Sequence, residues 1–139
     1  MRHMDSVNRQ TLERVVNSWK SFKHNSVEIY GGRYKAMSGL NFMIDYGDGL
    51  LSGDIAIPEG LPPLFTVKQY FEAIGRSDRS LRVRVEQSLW VVAKLYDVPV
   101  IKKGGVNHYS FAMIPAIESR IRIYEEFVAE KQKGVDVCQ

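Results

Sequence analysis

The order of local signals between Phe65 and Phe111, FTVKQYFEAIGRSDRSLRVRVEQSLWVVAKLYDVPVIKKGGVNHYSF, constrains the fold more than any other part of the chain. Thr66-Val67-Lys68-Gln69 has the Thr-x-x-Gln form of a capping box, in which the two side chains satisfy each other's free backbone amides, and Gly75 supplies a stop. The helix so bounded turns Val67, Tyr70, Phe71 and Ile74 inward. After Arg76-Ser77-Asp78-Arg79, with Ser80 as the next cap, Leu81, Val85, Leu89, Val92 and Tyr96 recur at steps of three and four. That spacing predicts a second helix of about four turns, stopped by Asp97-Val98-Pro99. Val98 to Ile101 and Val106 to Phe111 then read as two β-segments around the basic turn Lys102-Lys103-Gly104-Gly105.

The flanks read differently. From Asp5 to Phe22 the apolar residues Val7, Leu12, Val15, Val16, Trp19 and Phe22 share one side of an amphipathic helix, with Asp5 or Ser6 as its cap. Val27-Glu28-Ile29-Tyr30 alternates, Gly31-Gly32 is a two-residue hairpin signal, and Arg33 to Met37 reads as the partner strand. A second hairpin is expected from Leu40 to Ile57, turning at Gly47-Asp48-Gly49, with Phe42, Ile44 and Tyr46 on one face. Pro58-Glu59-Gly60-Leu61-Pro62-Pro63 reads as a stiff linker, because proline removes amide donors and biases its predecessor away from helix. Beyond it, Pro115 suits a helix's first turn; Ile117, Ile121, Tyr124 and Val128 mark one face, and Gly134 is the expected end. The predicted fold class is therefore α+β: residues 4–57 as a helix on a small antiparallel sheet, and residues 64–133 as a winged helix-turn-helix with a C-terminal helix.

Charge placement gives the predicted function. The 139-residue chain carries a formal +3. Between Thr66 and Tyr109, eight lysines and arginines face four carboxylates, leaving +4, so this stretch holds the whole excess. A helix-turn-helix reads DNA with its turn and the N-terminal end of its second helix, while flanking cations hold phosphates. Those places carry Arg76, Arg79, Ser80, Arg82, Val83 and Glu86, with Arg84 counted among the DNA-binding residues beside them, and the wing carries Lys102 and Lys103. Arg79 and Arg82 are the candidates for bidentate pairing with guanine, whereas Arg76, Lys102 and Lys103 suit phosphates. The plain alternative is a solvated basic face.

The run from Phe65 to Ile117, through its opening FTVKQYFEAIGRS, the arginines Arg82 and Arg84 and the segment VPVIKKGGVNHYSF, resembles the winged-helix domains of phage and plasmid excisionases, of MerR-type regulators and of phage antirepressor-like proteins. The resemblance implies a DNA-binding, regulatory protein of phage or mobile-element type. The second helix here is longer than in those families. Its tail, SLWVVAKLYD, is apolar enough to serve as an inner core helix or part of an interface.

Other chemistries lack residues. Asp45, Asp48 and Asp54 cluster in sequence, but Asp48 sits in a Gly-Asp-Gly signal where aspartate has a backbone reason, and no Glu-x-Lys completes a nuclease set. His3, His24 and His108 are far apart with no cysteine beside them, so no metal or cofactor is expected. Gly31-Gly32 and Gly104-Gly105 precede strands rather than the helix a phosphate loop needs. The lone Cys138, the lack of a long apolar run and the lack of a secretory leader fit a cytoplasmic protein off the membrane. The expected protein is non-enzymatic, binds double-stranded DNA and forms a homodimer, since paired half-sites double the contacts. The rival expectation is a small inhibitor or adaptor, for example one blocking a host or phage protein, with the winged helix as scaffold and Trp90, Val91, Val92 and Tyr124 as contact residues.

Overall fold

The computed structural model describes residues 4–30 and 37–137. Among them are five α-helices, α1 (Ser6–Tyr30), α2 (Met37–Ser52), α3 (Val67–Ala73), α4 (Arg79–Leu95) and α5 (Ile114–Val137). A two-stranded antiparallel hairpin, β1 (Ile101–Lys103) and β2 (Val106–His108), follows α4, and a 3-10 turn at Phe111–Met113 leads into α5.

The α+β expectation is overturned: the described chain is mostly helical, and α1 lies on helices rather than on a sheet. Asp5 caps α1, its Oδ1 accepting from the Asn8 amide at 2.8 Å, and Leu12, Val15, Val16 and Trp19 are all buried. The helix continues through the Val27 to Tyr30 stretch that alternation assigns to a strand. Four alternating residues are too few to separate the two periods, and neither glycine nor proline interrupts the chain before Gly31. The expected Gly31-Gly32 turn and the strand from Arg33 fall outside the described residues, apart from Met37, which opens α2.

Helix α2 replaces the second expected hairpin. Its apolar run fits either period, and burial of Leu40, Ile44 and Leu50 follows the helical one. The Gly-Asp-Gly sequence makes no turn, because it is the crossing point with α1. A Cβ on Gly47 would stand 2.5 Å from Val16 Cγ2, so only hydrogen lets the two helices approach this closely. Lys20 of α1 pairs with Asp48 across the same crossing at 3.1 Å.

The proline-rich segment after α2 is packed rather than free. Leu61 is fully buried in it, and Ile57 and Phe65 are buried on either side. Phe65 and Tyr109 then exchange two backbone hydrogen bonds, of 2.9 and 2.8 Å, which add a third short strand contact to the hairpin. The hairpin closes through a two-residue turn with Gly104 and Gly105 both at positive φ (58° and 77°), the conformation that suits the twist of the strands.

Three contacts tie α1 and α2 to the later helices. Trp19 meets Tyr96 edge to face at 5.8 Å. Arg14 donates to the carbonyl oxygens of Tyr96 (3.1 Å) and Asp97 (2.8 Å), placing a cation at the negative end of α4. The Tyr70 hydroxyl of α3 donates to a carboxylate oxygen of Glu118 on α5, with Tyr46 of α2 bonded to Tyr70 in turn. The expected stop at Gly134 is also corrected, since α5 continues to Val137.

Candidate nucleic-acid interface

Helices α3 and α4 are fixed at both ends by local sequence. Thr66 Oγ1 accepts from the Gln69 amide at 3.1 Å and Gln69 Oε1 accepts from the Thr66 amide at 2.9 Å, completing the capping box. Past α3, the Arg76 amide bonds to Phe71 oxygen and the Gly75 amide to Glu72 oxygen, the paired bonds of a Schellman stop. The cap of α4 is Asp78 rather than the expected Ser80: its Oδ1 accepts from the Leu81 amide at 3.2 Å. Aspartate suits the position because its charge complements the helix dipole. It also takes up the place where a phosphate would sit, so the free end of α4 is not an anion site.

Two adjoining depressions lie where α3, α4 and the hairpin meet. The larger, about 520 Å³, lies between Lys68 of α3, Arg82 and Glu86 of α4, and Asn107 and Tyr109 at the hairpin's end. The smaller, about 200 Å³, shares Lys68 and Arg82 and adds Arg76, Asp78 and Arg79. Arg82 bridges the two. Its side chain is 28% exposed, its Nε is buried without a hydrogen-bond partner, and Glu86 Oε1 stands 3.7 Å from it, beyond hydrogen-bond reach. Burial raises the Tyr109 phenol above its ordinary pKa; an Asn107 hydrogen bond opposes this and the Glu86 charge adds to it, so the hydroxyl keeps its proton.

The structure divides the expected site residues among three places. Arg76, Arg79, Arg82 and Glu86 line the depressions, and exposed Ser80 stands next to Arg79. Lys102 and Lys103 are exposed on β1, opposite Asn107 and Val106. Arg84 is elsewhere. Two residues advance a helix about 200°, which turns Arg84 toward α5, where its guanidinium lies 5.7 Å from the Tyr124 ring centre. Arg76 is held by Glu125 of α5. Among the described residues no ion pair holds Lys68, Arg79, Lys102 or Lys103. Acid residues temper the surface: Glu72, Asp78 and Glu86 also line the two depressions.

Lys68, Thr66, Asn107 and Tyr109 were absent from the expected site. Lys68 is legible in retrospect, since a capping box with Val67 turned inward leaves the next residue on the outer side of α3. The hairpin residues have no such signal, because their position depends on the Phe65–Tyr109 pairing.

Comparisons with family models, with curated proteins and with solved structures find no match for this chain. Among the described residues, no group of three or more histidines, cysteines, aspartates or glutamates is placed to hold a metal ion. No described helix is long and apolar enough to cross a membrane.

Proposed function

We propose that this chain binds double-stranded DNA in a regulatory, non-catalytic role, applying the outer face of α4 to the major groove and the β1–β2 hairpin to the backbone. The observation that carries the proposal is the placement of Lys68, Arg79 and Arg82 around two joined depressions, with Arg82 holding an unused donor at their boundary. A half-buried guanidinium with a free N–H is costly without an acceptor, and phosphate or guanine O6 and N7 supply acceptors in the geometry it needs. Lys102 and Lys103 lie beyond, on a strand whose side chains are all exposed. A helix, a turn, a second helix and a basic hairpin in this order are the parts such docking uses.

Fluorescence anisotropy with a labelled duplex of random sequence, at 50 and 200 mM salt, tests this. If Lys68, Arg79, Arg82, Lys102 and Lys103 each displace one counterion, affinity follows salt with a slope of about −4.5 and falls roughly 500-fold over that fourfold change. The expected result is saturable binding at low salt with that steep loss. Absence of binding at 50 mM salt, or binding indifferent to salt, overturns the proposal; the second outcome would point to a protein partner.

A further inference from the structure

We infer that a second copy of this chain docks on the α4–α5 side of the first, the two α5 helices lying antiparallel about a two-fold axis centred on residue 125. This goes beyond DNA binding and does not depend on it. Helix α5 buries Ile114, Ile117 and Ile121, and from 122 to 132 its side chains are exposed or half-buried. There Arg120, Ile123, Phe127 and Glu130 follow one another at steps of three and four, so they form one stripe. Ile123 is 45% and Phe127 48% exposed, and a groove of about 500 Å³ runs beside them between α4 and α5. Lys131 covers one ring face of Phe127 at 5.1 Å. On the α4 side, Arg84, Ser88, Val91 and Leu95 share a second stripe, with Val91 53% and Leu95 71% exposed.

The ends of the α5 stripe decide the occupant. Nearby charges are already used: Arg122 pairs with Glu126 at 3.1 Å, and Glu125 with Arg76. Arg120 at one end and Glu130 at the other carry no ion pair among the described residues. When two copies of this stripe run antiparallel, Ile123 meets the second copy's Phe127 and Arg120 meets its Glu130, and the symmetry makes each contact twice. The patch is therefore complementary to itself, as a closed two-fold interface must be. A parallel arrangement would oppose arginine to arginine and glutamate to glutamate. The groove beside the stripe gives the second copy's phenylalanine a place to enter. Arg82 faces away, about 160° around α4 from Arg84, so docking here leaves the proposed DNA surface free.

Sedimentation equilibrium of the whole chain without nucleic acid tests the pairing. The expected mass is twice 15.9 kDa, and dilution restores the monomer. Arg120→Glu and Glu130→Arg each weaken the dimer about tenfold or more, because each places two like-charged pairs in the interface. The double variant Arg120→Glu with Glu130→Arg restores it. Far-ultraviolet circular dichroism checks that each variant keeps its helices, and both residues are exposed, so folding is spared. A monomer at concentrations up to about 200 µM, single reversals without effect, or a double variant as weak as the singles would each overturn the inference. Arg82→Ala leaves the association unchanged, so loss of DNA binding and loss of pairing are separate results.

Discussion

Removing the Tyr70 hydroxyl tests whether the contact joining α2, α3 and α5 holds the structure together. Tyr70 is fully buried, donates to the Glu118 carboxylate and is bonded to Tyr46. In Tyr70→Phe the ring packing against Phe65, at 5.7 Å between centres, is kept, and only the oxygen goes. A hydrogen bond to a charged group contributes about 1.5–3 kcal/mol, and the half-buried Glu118 recovers part of this from water, so the expected loss is about 2 kcal/mol. With an unfolding entropy of about 2.1 cal/mol/K per residue, that loss lowers the melting temperature by roughly 7 °C. Urea denaturation should shift its midpoint at unchanged slope. The pH dependence gives an independent reading. Burial, followed by the Glu118 charge, raises the Tyr70 phenol far above its ordinary value and pushes Tyr46 up to about 12. The unfolded phenol ionises near pH 10, so the folded state holds the extra proton above that point. The contribution is complete below pH 10 and is lost above it, at about 1.4 kcal/mol per pH unit for Tyr70. Tyr70→Phe should therefore flatten the alkaline limb of stability against pH. A stability change under about 0.5 kcal/mol, with the alkaline slope intact, would refute the reasoning.

Four further substitutions probe other parts of the structure. Gly47→Ala should destabilise by about 1–2 kcal/mol despite alanine's better helix propensity, since the added methyl meets Val16 at 2.5 Å; calorimetry showing a gain would remove the close α1–α2 crossing. Asp97→Gly should stabilise by about 0.5–1 kcal/mol, because Asp97 holds φ at 54° in the stop of α4 and the carbonyl that Arg14 reaches is backbone; urea titration reads it. In the low-salt anisotropy assay, Arg82→Ala should cost about 1–3 kcal/mol of duplex affinity, whereas Arg84→Ala should stay within about twofold; equal losses would mean that both sides of α4 touch DNA.

The sequence was most legible where a signal was local and chemically unambiguous. The Thr66–Gln69 capping box and the stop at Gly75 each depend on a few adjacent residues and occur at their expected positions, whereas the hairpin is shifted: Lys102 and Lys103, expected in the turn, pair in β1, Val98 to Val100 lie before it, and only Gly104-Gly105 turn. It was least legible in the first half, where period alone had to decide. Glycine has two structural uses, turning a chain and letting two elements touch, and Gly47 serves the second. Which use applies depends on Val16, thirty-one positions away, and no local pattern carries that information. The proline-rich stretch misled for a similar reason: rigidity suggested a linker, but the buried Leu61 makes it part of the packed interior.

The charge count shows how much of a site is decided in three dimensions. Eight cations between Thr66 and Tyr109 looked like one reserve for one partner. Folding commits three of them elsewhere: Arg76 to Glu125, Arg84 to the Tyr124 ring, and Lys94 to the Trp90 ring at 4.5 Å. The other five, Lys68, Arg79, Arg82, Lys102 and Lys103, lie on α3, one side of α4 and the hairpin, Arg82 with the Glu86 carboxylate of its own helix 3.7 Å away. Helix α4 thus has three distinct sides, one buried through Leu81, Val85, Leu89 and Ala93, one cationic toward the hairpin, and one partly apolar toward α5. A single straight helix cannot bring Arg82 and Arg84 to one duplex groove, because they project about 160° apart. A helix of 17 residues is long enough to present all three sides over several turns: to the core, to the hairpin and to α5.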